Sequence, residues 1–98
     1  MTATALAMIA AYLMCSTAAE VRLLDPTEAE ACSTIYMHVK LDFLPDVDMA
    51  HYQQMSASDR AEVNRRAYAA YVAWRVANPE LVDEMEADAR RQLATAGL

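Results

Sequence analysis

The chain holds one glycine, three prolines and one lysine, and no charged side chain precedes Glu20. Each scarcity excludes something. Gly97 is the only glycine, so no glycine-rich loop can cradle a phosphate and no Gly-x-Ser-x-Gly elbow can raise a nucleophile. Cys-x-x-Cys and His-Glu-x-x-His are also missing, and two histidines give little material for acid–base work. No motif for catalysis or for a cofactor remains, and we expect neither an enzyme nor a bound cofactor. The basic side is thin, with 8 Lys and Arg against 14 Asp and Glu for a net charge of −6. Nucleic acid repels such a chain unless its cations cluster. Arg60, Arg65, Arg66 and Arg75 are near in sequence but point in different directions around a helix, so no basic stripe forms.

What is abundant is alanine, 21 of 98 residues, the residue with the highest helix propensity. With 56% hydrophobic residues, the composition points to an all-α protein of one small domain. The excess of Arg over Lys, with so much alanine, is associated with GC-rich bacterial genomes, and we expect a bacterial source.

The opening residues need a separate reading. Ala3 to Ala19 carry no charge, and Leu6, Met8, Ile9, Tyr12, Leu13 and Met14 point all round the helical wheel. All-round apolarity means burial in a large core or in lipid. The run ends in Ser16-Thr17-Ala18-Ala19, small residues that suit a signal peptidase cutting after Ala18 or Ala19. Residues 1–19 therefore read first as a secretory signal, although the usual basic start is absent. An uncleaved membrane anchor and a retained core helix are the other two readings. Cleavage leaves a domain of residues 20–98, periplasmic or secreted, that meets a membrane only if the first segment stays.

Three prolines punctuate the rest into helices over roughly 26–43, 57–77 and 79–96, a three-helix array or bundle. Asp25, Pro26 and Glu28 spell an N-cap, a proline at the first position and a capping box. The first helix has an apolar stripe of Cys32, Ile35, Tyr36, Val39 and Phe43. Ser56 or Ser58 opens the second, whose stripe is Val63, Ala67, Ala70, Tyr71 and Trp74. Asn78 and Pro79 open the third, with Leu81, Val82, Met85, Ala89, Leu93 and Ala96 as its stripe and Gly97 as its C-terminal cap.

Candidate sites lie off these stripes. Tyr68, Val72 and Val76 form a second apolar row on the middle helix, and Met37 and Leu41 do the same on the first. Such rows are either covered by the fold or bind a partner, a second protein or another copy of the chain. Cys32 loses Cys15 if the signal is cut, which leaves a small buried apolar residue or the link of an intermolecular disulfide. Without cleavage a Cys15–Cys32 disulfide is open, and it needs the apolar segment to stay near the first helix. The alternative function is copper handling, with His51 and Met55 one helical turn apart and Met37, His38 and Met49 nearby. Asp42, Asp46 and Asp48 lack the glycine and closing glutamate of a calcium loop and read as a surface linker.

Overall fold

Every boundary proline stands where a helix ends or begins. A computed structural model of the chain describes residues 1–96, which fold as five helices: α1 (Ala3–Val21), α2 (Pro26–Asp42), α3 (Met49–Gln54), α4 (Ala57–Ala77) and α5 (Pro79–Ala96). The Gly97 cap lies outside the described residues. The all-α expectation holds, and the three long helices after the first segment begin and end within a residue of their expected limits.

Local chemistry sets the helix ends. Asp25 accepts from the Glu28 amide at 2.8 Å while Glu28 reaches back to the Asp25 amide at 3.2 Å, so two orphan donors are satisfied at the start of α2. Arg22 closes on the same Glu28 carboxylate through both guanidinium nitrogens, at 2.9 and 2.6 Å. Ser56, of the two serines considered, caps α4. Asn78 acts differently from expectation. Its side-chain Nδ2 donates to the Trp74 carbonyl at 2.9 Å, so it satisfies an open carbonyl at the end of α4.

The apolar first segment is a helix, as expected, and it is long and apolar enough to cross a membrane by length and composition. It is also packed into the domain. α1 lies mainly against α5 and α2, with Ile9 only 1% exposed and Leu13 2%. These two side chains meet Val39 of α2 and Tyr71 of α4, with Ile35, Phe43, Trp74 and Met85 around them. Cutting after Ala18 or Ala19 would take Ile9, Leu13 and Cys15 out of a core they share with the remaining helices.

Cys15 and Cys32 are joined in a disulfide, with Cα atoms 5.8 Å apart. This is the pairing open to Cys32 when the first segment stays beside α2, and it replaces the two readings that follow from cleavage. It is neither a free buried thiol nor the link between two copies, because α1 brings Cys15 one helix-packing distance from α2. The stripe assignment itself was right, since the stripe faces α1.

A second cluster lies beside the first. Leu41, Leu44 and Val47 pack on Val63 and Ala67 of α4, and α3 covers them with Met49, Tyr52 and Met55. Lys40 is buried beside this cluster. Its Nζ donates to Asn64 Oδ1 at 3.0 Å and lies 4.6 Å from the centre of the Tyr36 ring. Tyr52 Oη donates to the same Asn64 oxygen at 3.3 Å. Desolvation pushes the Lys40 ammonium below the usual lysine range.

Candidate interaction face

α4 buries one side and leaves the other open. Val63, Ala67 and Tyr71 are buried, with Ala67 at 0% exposure. On a helix these positions centre about 180° from Arg65, Val72 and Val76. The outward side changes character half-way along. Its first half carries Ser58, Glu62, Arg65 and Arg66, all exposed. Its second half carries Tyr68, Ala69, Val72, Ala73, Val76 and Ala77, all exposed and all apolar. Tyr68 is 58% exposed and Val76 76%. The middle helix is therefore not wrapped on both sides, and the second row is surface.

Along one edge of this face runs a groove of about 410 Å³ between α4 and α1. Tyr68, Val72 and Val76 form one wall, and Tyr12, Ser16 and Glu20 the other. Its polar groups are largely engaged within the chain. Arg75 donates to Tyr71 Oη at 3.2 Å and to Glu86 Oε1 at 3.3 Å. The hydrogen bond to Tyr71, ahead of the Glu86 charge, holds the Arg75 guanidinium more firmly protonated. Tyr12 is raised above the usual phenol range, first by burial and then by its phenol neighbours Tyr36 and Tyr71.

The face stands on a rigid base. Tyr12 stacks on Tyr36 at 4.7 Å between ring centres and meets Tyr71 edge-on at 6.2 Å. Phe43 touches both Tyr71 and Trp74. Aromatic contacts of this kind add about 0.5–1.5 kcal/mol each beyond their buried area. They tie α1, α2 and α4 together directly beneath the exposed row.

The other sequence candidates are dispersed. Leu41, expected with Met37 as a second surface row, is buried in the Leu44–Val47–Val63 cluster, because the chain turns at Pro45 and folds α3 over it. Met37 is half-buried. His51 is exposed, and its backbone amide donates to Asp48 at 2.7 Å. Met49 and Met55 pack on the second cluster. Among the described residues no three His, Cys, Asp or Glu side chains converge on one point. Asp46 pairs with Arg66 at 3.2 Å and Asp48 caps α3, as suits linker residues.

The four central arginines have four different local partners. Arg60 donates to the carbonyls of Tyr52 and Gln53, Arg65 pairs with Glu62, Arg66 with Asp46 and Arg75 with Glu86. Sequence reasoning missed the alanines of the face. Ala69, Ala73 and Ala77 repeat at i, i+4 beside the Tyr68 row, a signal that was present but easily taken for helix filler. Comparison with protein-family models, curated proteins and solved structures gives no match for this chain.

Proposed function

We propose that the chain is a small helical binding module that works in an oxidising compartment, the bacterial periplasm or the exterior, and engages another protein chain through the outer face of α4. The observation that carries the reading is the apolar second half of that face, beside which the one charge, Arg75, is held by Tyr71 and Glu86. Three large apolar side chains and three alanines stand exposed together, opposite the buried stripe. Single exposed apolar residues are ordinary, but a contiguous apolar patch on a charged protein marks a contact surface.

The compartment rests on the Cys15–Cys32 bond, since such bonds persist where thiols are not kept reduced. In this reading α1 stays with the exported protein as part of its core. The activity is binding, with no catalytic step assigned.

The test is a photo-cross-linking residue, p-benzoylphenylalanine, placed at Val72 in the full chain and expressed in its source cells. A discrete adduct that disappears when Val76→Glu is added supports the reading. No adduct, or one indifferent to Val76→Glu, refutes it.

A further inference from the structure

We infer that the Cys15–Cys32 bond is a latch: closed, it keeps α1 in the domain, and opened by a dithiol reductant, it lets α1 enter a lipid bilayer. The inference goes beyond the binding face and does not depend on what α4 meets.

The water-facing side of α1 points to lipid. Only Ala5, Ile9, Leu13, Thr17 and Ala18 are buried, a single stripe. Every other residue from Ala3 to Ala19 meets solvent at least in part, and none is charged. A helix that only covers a core carries charged residues on its outer side. α1 instead runs uncharged all round as far as Ala19, in a helix of 19 residues. At 1.5 Å per residue that is about 28 Å, close to the ~30 Å hydrocarbon thickness of a bilayer. Apolar side chains also stand open just beyond this run, with Val21 75% and Leu23 95% exposed. Arg22, between them, is long enough to reach headgroups from the end of an inserted helix.

The closed bond excludes insertion. Cys15 lies about 9 Å along the axis from the C-terminal end of α1. With the two Cα atoms 5.8 Å apart, Cys32 would carry Glu28 and Glu30 of α2 towards the same depth. Hydrocarbon expels carboxylates, so α1 stays docked while the bond holds. Once it opens, the non-helical stretch from Arg22 to Asp25 is a hinge between α1 and α2. Lipid surrounds Ile9 and Leu13 with groups as apolar as those they leave. Val39 and Tyr71 lose their cover, so release needs the bilayer as well as the open bond.

The bond is also within reach. Cys15 and Cys32 line an open hollow of about 320 Å³ rimmed by Ser16, Ala19, Ala29 and Ser33. These small side chains leave a path for a thiolate. One thiolate of the dithiol attacks a sulfur of the pair, the Cys15–Cys32 bond breaks, and the displaced cysteine takes up a proton. The second thiolate then breaks the mixed disulfide, frees the other cysteine and closes the reductant's own disulfide. Two electrons and two protons pass to the cysteine pair. Losing the cross-link favours release of α1 on the order of a hundredfold.

Flotation of the full chain with phosphatidylcholine vesicles, which a net charge of −6 does not repel, tests this. The oxidised chain should stay in the aqueous layer, and dithiothreitol should raise the floating fraction roughly tenfold or more. The Cys15→Ser, Cys32→Ser double variant should float without reductant. Ala7→Asp, at an exposed position of α1, leaves the docked helix intact and should abolish flotation of the reduced chain. Val63→Ala, which loosens the other core cluster with the bond closed, should stay aqueous. An oxidised chain that floats, either wild type or Val63→Ala, overturns the latch. A reduced chain that stays aqueous, or floats despite Ala7→Asp, overturns the insertion of α1. Cross-linking from position 72 reads the α4 face separately, so the two readings fail independently.

Discussion

Reducing the Cys15–Cys32 bond should lower the melting temperature by more than any surface change. The two cysteines are separated by 17 positions. Freeing a loop of that size in the unfolded chain lowers stability by about 3 kcal/mol on the chain-entropy account. For a domain of this length, 1 kcal/mol corresponds to roughly 4–8 °C, so the midpoint should fall by about 12–24 °C. The assay is thermal unfolding followed by ellipticity, with and without a phosphine reductant. The Cys15→Ser, Cys32→Ser double variant serves as a control that no reductant can affect.

The structure adds a local expectation. Ile9, Leu13 and Ala18 are buried, so α1 amides should resist hydrogen exchange in the oxidised protein and lose protection first on reduction. A midpoint that shifts by less than about 4 °C would refute the reasoning. So would α1 amides that exchange freely while the bond is intact, because the helix would then be tethered without being docked.

Four other outcomes follow from named contacts. Ile9→Ala, at a side chain 1% exposed, should cost about 3–4 kcal/mol in urea unfolding through lost transfer energy and a cavity. Asn64→Leu should cost about 2–3 kcal/mol, because it strips the Lys40 ammonium of its hydrogen-bond acceptor. Adding Lys40→Met should recover most of that loss, a coupling that a double-mutant cycle measures. Wild type should gain stability relative to Lys40→Met as pH rises towards 10.5: the folded lysine sits below that ordinary value, so over this range the unfolded chain binds more protons and the cost of burying the ammonium is relieved. Glu28 runs the other way. Its carboxyl is lowered to about 2, first by the Arg22 hydrogen bond, so its contribution is present above 4.5 and disappears as pH falls towards 2, measurable as earlier unfolding that Glu28→Gln abolishes.

The parts of the fold legible in the sequence were those set by local rules. Asp25, Pro26 and Glu28 named the start of α2, and Val63, Ala67, Tyr71 and Trp74 named the inward side of α4, because caps and periodicity act within one or two turns. The rest depended on what lies opposite. Nothing local says that Ile9 and Leu13 would meet Val39 and Tyr71, since a segment apolar all round looks the same before a membrane and before a small core. Cys32 was placed on the correct stripe, but its bond waited on the position of α1. Leu41 looked like surface because Leu44, Val47 and α3 fold over it only after the turn at Pro45. The Tyr68, Val72 and Val76 row was legible as a second face. Its exposure was not, for whether a neighbour covers a face is a tertiary fact.

The exposed half of α4 is best judged against the other outward surfaces of the same molecule. On α5, the exposed positions include Glu80, Asp83, Glu84, Asp88, Arg90 and Arg91. On α4 before Ala67 they include Glu62, Arg65 and Arg66. On α5 and on the first half of α4 the chain thus places charge where the helix meets water, and on α4 it does so up to the residue where the apolar face begins. Alanine bias alone cannot account for the change, because it would leave Ala at 68, 72 and 76 rather than Tyr, Val and Val. Folding does not account for it either, since these side chains stand 36–76% exposed. β-Branched valines also lower helix propensity relative to the alanines around them. In the binding reading proposed above, two residues that cost the helix something and are left open to solvent would have their physical reason in the surface of a partner.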